Sequence, residues 1–83
     1  MKKYIAYVLL CDDGSLYKGH CSDIEERYKR HCAGYGAKHT REHKPIKIVL
    51  IEEFSTEQEA IDREKYLKSG SGRKWLKAKF ANG

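Results

Sequence analysis

Eighty-three residues suffice for one domain with one modest core and leave no room for a catalytic domain beside a separate binding domain. The formal charge of +5, from 17 Lys and Arg against 12 Asp and Glu, favours a polyanionic partner, although a merely solvated basic surface would carry the same charge. The three cysteines Cys11, Cys21 and Cys32 come without a secretory signal, which argues against a disulfide framework and fits a reducing cytoplasm. The apolar run Ile5 to Cys11 is far too short to span a bilayer.

Tyr4 to Cys11 is apolar on both alternating faces and reads as a central strand buried between layers. Asp12-Asp13-Gly14 then forms a three-residue hairpin loop, with Gly14 available for the left-handed position, and Ser15 to His20 is the return strand. If Cys11 pairs with Ser15, Tyr17 lies opposite Leu9 and Tyr7 opposite Gly19, so both phenols share one sheet face. A four-residue loop would put them on opposite faces.

Ser22 is the expected N-cap of a helix from Asp23 to Cys32, with acids in its first turn and Lys29, Arg30 and His31 in its last. Ile24, Tyr28 and Cys32 form its thin apolar stripe, flanked by Arg27 and His31. Ala33 to Pro45 reads as an irregular basic loop holding Lys38, His39, Arg41, His43 and Lys44. Ile46 to Phe54 is the third strand, and a helix is expected from about Thr56 to Lys68. Ser69-Gly70-Ser71-Gly72 should break the helix before a short terminal helix from Arg73 to Phe80, with 81–83 a frayed tail. The expected fold is α+β, a three-stranded antiparallel sheet with three helices on its two faces, in the order β-β-α-β-α-α, as one domain over 1–83.

On a helical wheel Glu64 falls between Ala60, Ile61 and Leu67, in the middle of the only apolar stripe its helix has. An unpaired buried carboxylate costs several kcal/mol, so an Arg or a metal ion should face it.

Tyr7, Tyr17, Arg27 and Glu64 thus converge, and with them the chain resembles the GIY-YIG nucleases, in particular small proteins similar to the N-terminal catalytic domain of the excision-repair nuclease UvrC. The first signature appears as Ile5-Ala6-Tyr7, without its glycine, and the second as Tyr17-Lys18-Gly19. Ser22-Asp23-Ile24 with Arg27 and His31 resembles the family's arginine helix, Gly36 to Thr40 its loop, and Asp62 to Arg73 its metal-carboxylate helix and tail. Two departures are His20, where a small or aliphatic residue is usual, and the lack of a clear counterpart to the polar residue, often Asn, that follows the carboxylate; Asn82 is the only asparagine.

The resemblance implies a cytoplasmic, metal-dependent endonuclease related to DNA repair and selective for substrate structure. Tyr17 would be the general base, Arg27 the phosphate clamp, Glu64 the carboxylate on Mg²⁺ or Mn²⁺, and Tyr7 a positioning or proton-relay phenol. Gly19 and His31 are secondary members of the site. Lys38, Thr40, Arg41 and Arg73 are candidate contacts to DNA or RNA, with a partner protein a further source of specificity. The alternative is a nucleic-acid-binding module with little activity on the same fold. A zinc site is disfavoured, because neighbours such as His20-Cys21 on a strand and His31-Cys32 on a helix diverge.

Overall fold

A computed structural model describes residues 3–80; the expected frayed tail at 81–83, with Asn82, lies outside the described residues. The elements run β1 (Tyr4–Cys11), β2 (Leu16–Cys21), α1 (Ile24–Cys32), α2 (Lys38–Glu42), β3 (Pro45–Phe54), α3 (Glu57–Lys68) and α4 (Gly70–Phe80). The sheet is antiparallel in the order β2-β1-β3, so β1 is central and β2 lies at an edge.

The hairpin fixes the register on which the site depends. Cys11 N–H donates to Ser15 O at 2.9 Å and Gly14 adopts a φ of 85°, which closes a three-residue loop with its left-handed residue where only glycine is unstrained. Tyr7 therefore pairs with Gly19, and Leu9 with Tyr17.

Alternation along β1 divides the core in two. Ile5, Tyr7 and Leu9 join Cys21, Tyr17, Ile24, Tyr28 and Ile48 beneath α1. On the other face Val8 packs with Leu67 of α3, Leu76 of α4, Val49 and Leu50. A register shift in β3 between the partners of Val8 and Leu9 turns Val49 and Leu50 to that same face, the usual effect of a bulge.

Three details differ from the sequence-based expectation. The N-cap of α1 is Asp23 rather than Ser22, its carboxylate accepting from Glu26 N–H at 3.1 Å. The basic loop contains α2, a fourth helix of five residues, held by Thr40, whose hydroxyl donates to Ala37 O and accepts from Ala37 N–H. Finally, the expected helix break is confined to Ser69, and the terminal helix starts at Gly70 rather than Arg73: Ser69 ends α3 in extended conformation and its Oγ at once accepts from Gly72 N–H at 3.1 Å, starting α4. That close junction needs Gly72, whose missing Cβ would collide with the Tyr66 carbonyl. Arg63 secures the same corner, donating to both oxygens of Glu52 at 2.6 and 3.2 Å and lying 5.0 Å from the ring centres of Tyr66 and Trp75.

Gly72→Ala should therefore destabilise the protein by about 2 kcal/mol or more, as overpacking against backbone does. Gly70→Ala, where a Cβ meets nothing within 4 Å, should not. Urea midpoints of the two variants measure the contrast.

Candidate active site

Tyr7 and Tyr17 share the α1 face with ring centres 6.4 Å apart. Tyr7 is buried, and its hydroxyl lies 2.8 Å from His31 Nε2, while His31 Nδ1 lies 2.6 Å from Thr40 Oγ1. Thr40 spends its one proton on Ala37 O, so it accepts from His31 Nδ1–H, which leaves Nε2 free to accept the Tyr7 proton. The chain of donors ends on a backbone carbonyl. It orients the phenol and gives it no onward route for a proton.

Two glycines admit this chain. A Cβ at Gly19 would stand 2.6 Å from Tyr7 Oη, and one at Gly36 would run into the His31 ring. Burial, with Arg27 adding to it, lowers the His31 pKa; burial, with the neighbouring Tyr17, pushes the Tyr7 phenol far up. Both groups are neutral at physiological pH.

Tyr17 is half-buried on the edge strand. Burial raises its pKa, Lys68 opposes that rise, Glu64 adds to it and Arg27 opposes it, so all three charged groups lie within electrostatic reach of the phenol. Arg27 is exposed and lines a recess with Tyr4, His20, Cys21, Ser22 and Glu57.

Glu64 is half-buried, as its place in the apolar stripe requires, and the side chains that face it are His20 and Lys68 rather than an Arg. Oε1 lies 2.6 Å from His20 Nδ1, and Oε2 accepts from Lys68 Nζ at 2.5 Å. Burial alone would raise the Glu64 pKa; the hydrogen bonds and charges of Lys68 and His20 outweigh it and bring it below the ordinary value. In sequence His20 stands out as an unusual neighbour of Gly19 and in the disfavoured His20-Cys21 zinc pair, and neither reading points to Glu64. Lys68 was legible, since Glu64 and Lys68 are an i,i+4 pair on one helix.

A single anionic carboxylate at an edge suits Mg²⁺, which retains most of its waters, and Lys68, with a side chain 53% exposed, is the partner free to move away. Among the described residues one cluster has ligand atoms near enough to hold an ion unaided: Asp12, Asp13 and His43 at the hairpin tip. It is already internally paired, with His43 Nδ1 3.3 Å from Asp13 Oδ2 and Ser15 Oγ donating to Asp13 Oδ1 at 2.5 Å. Ser15 Oγ also lies 2.7 Å from His39 Nε2, and the His39 ring centre is 5.8 Å from that of Tyr17, links that the sequence did not suggest.

The nucleic-acid contact candidates separate. Lys38 and Arg41 are exposed on α2, beside α1. Thr40 is buried and bonded to His31, so it is not a surface contact; a hydroxyl on a basic segment gives no sequence sign of facing inward. Arg73 lies on the other sheet face, where it lines a cavity with Lys18.

The pattern of the GIY-YIG catalytic domain matches residues 3–78, and the chain belongs to that family. A UPF0213 protein of Staphylococcus saprophyticus is 44% identical over 77 residues, covering 93% of this chain and 94% of its own. The solution NMR structure of the UPF0213 protein BH0048 from Bacillus halodurans has a TM-score of 0.56 at 34% identity, covering 94% of this chain and 85% of that one. The protein EF2693 from E. faecalis, also solved by NMR, gives 0.58 at 37% identity, with 94% and 86% covered. Among the described residues no helix is long and apolar enough to cross a membrane.

The lowered His31 pKa has a signed consequence. A histidine kept neutral in the fold stabilises fully above its unfolded value of about 6.5, and that contribution fades as pH falls through the folded value. Between pH 7 and pH 5 the melting temperature should therefore fall more steeply for the native protein than for His31→Gln. Equal slopes in thermal scans would contradict a buried neutral imidazole.

Proposed function

We propose that this chain is a divalent-metal-dependent endonuclease that hydrolyses phosphodiester bonds in nucleic acid, DNA before RNA, and selects by shape more than by base sequence. The reading is supported by Tyr17 at the β2 edge lying within electrostatic reach of both Arg27 and Glu64, with the Tyr7 ring centre 6.4 Å from its own, in a chain of this family. So small a protein has little surface left for reading bases.

Each residue then has a role set by its chemistry. The Arg27 guanidinium grips phosphate oxygens and opposes the charge that gathers on them in the transition state. Tyr17 accepts a proton from the attacking water as the new oxygen–phosphorus bond forms and the bond to the leaving alkoxide breaks. Its raised pKa makes it a poor base by itself, so it depends on positive charge, and Arg27 and Lys68 are the cations of this chain that favour the phenolate. Tyr7, anchored by His31, positions the reacting groups. Glu64 would hold the metal after giving up Lys68, and a bound divalent ion would supply charge neutralisation and a more acidic water. Lys38 and Arg41 would contact the backbone of the substrate.

A specific observation favours the weaker alternative, a nucleic-acid-binding module. Both oxygens of Glu64 are engaged by His20 and Lys68, and burial disfavours the Tyr17 phenolate. A binder of that kind retards DNA with or without EDTA, its affinity falling steeply with salt. An endonuclease cuts with Mg²⁺ and stops with EDTA.

Glu64→Gln, which keeps volume and removes charge, should abolish Mg²⁺-dependent cleavage while costing no more than about 1 kcal/mol of stability. Gel-based cleavage read beside melting temperature separates this from a structural ion pair, which predicts lost stability with cleavage preserved. Tyr17→Phe and Arg27→Lys should each slow cleavage roughly a hundredfold or more with DNA affinity little changed. Loss of rate only in proportion to lost affinity would make these residues binding groups.

A further inference from the structure

A second recess lies away from the phenols. A cavity of about 470 Å³, ample for a small ligand, opens on the opposite sheet face between the strands and α4. Its floor is apolar, built from Leu16, Val49, Leu76 and Phe80. Its rim is cationic, with Lys18, Lys47, Arg73 and Lys77, and no carboxylate lines it. Among the described residues none of these four cations has an ion-pair partner, in contrast to Lys3, Arg63 and Lys68. Burial lowers the pKa of Lys18, and the charges of Arg73 and Lys68 lower it further. Four like charges gathered round an apolar floor, without local compensation, form the complement of a ligand that is flat and apolar in its body and anionic at its edge.

Its position identifies the ligand more closely. Lys18 follows Tyr17 on the edge strand, so the two side chains leave the same edge on opposite faces. Lys68, bonded to Glu64, lies within electrostatic reach of both Tyr17 and Lys18. A line of charge thus passes over the edge from the candidate catalytic groove to the cavity. We propose that this cavity takes one nucleotide unit of a single strand, its base against Val49 and Phe80 and its phosphate among Lys18, Lys47 and Arg73. The proposal rests on the nuclease reading for the identity of the polyanion. It adds a docking point that would favour strands with an unpaired nucleotide next to the cleaved bond, because an apolar ring face accepts any base.

The test is methyl and aromatic NMR of the full chain in EDTA, titrated with dTMP, with inorganic phosphate and with an acidic leucine-containing peptide. Saturable shifts of Leu16, Val49, Leu76 and Phe80 are expected with dTMP, at least tenfold tighter than with phosphate. Val49→Phe, which fills the cavity without altering charge, should weaken dTMP at least fivefold. The exposed pair Lys47→Gln with Lys77→Gln should do the same if Val49→Phe proves unfolded. Equal affinity for phosphate, tighter binding of the peptide, absence of saturable shifts, or indifference to these variants would overturn the proposal. Glu64→Gln should keep the dTMP shifts, so the two claims fail separately: binding without cleavage removes the nuclease reading, and cleavage without these shifts removes the cavity.

Discussion

The buried hydrogen-bonded chain from Tyr7 through His31 to Thr40 is the constraint on which the rest of this structure depends. It joins the central strand, α1 and α2 through three side chains each no more than 2% exposed. A buried donor or acceptor left unpaired costs about 1–3 kcal/mol, a large share of a small domain's stability, so each member holds the others in place. Gly19 and Gly36 are small because the phenol and imidazole occupy the space their side chains would take. The second tripeptide signature is thereby explained in part by packing: its glycine accommodates the tyrosine of the first.

The edge strand then divides chemistry by face. Tyr17 looks toward α1, whereas Lys18 borders the cavity under α4. Glu64 reaches this strand from α3 through His20, which shares the face of Lys18, and with Lys68 forms a compact charge cluster there. Its lowered pKa keeps the carboxylate ionised at neutral pH, as metal binding requires, yet His20 and Lys68 would have to yield for a metal to enter. Under the proposed function, metal affinity would be a competition whose terms His20 and Lys68 set.

Much of the fold was legible because it follows from local rules. The doubly apolar β1, the odd-length hairpin with Gly14 and the Thr56 capping box determine strand order, register and the start of α3. What stayed hidden depends on contacts distant in sequence. The five-residue α2 is too short to be stable alone and rests on Thr40 meeting His31, so it reads as loop. The break at Ser69 is legible, but Gly70 to Gly72 read as part of it because the sequence does not show that Gly72 serves a close approach to α3 instead of flexibility. For the site, helical periodicity revealed that Glu64 turns inward but not what it meets, since His20 is 44 residues away in the chain. Arg73 belongs with Lys18 on the far face, a separation that only the path of α4 determines.

On the proposed function a divalent ion would enter at Glu64, on the β2 edge with Tyr17, and not at the hairpin tip. Adding substoichiometric Mn²⁺ to the isotopically labelled protein and mapping paramagnetic broadening tests it most directly. Broadening is expected to centre on Glu64, His20, Lys68 and Tyr17 and to be reversed by excess Mg²⁺. Broadening centred on Asp12, Asp13 and His43, with the Glu64 region sharp, would contradict it.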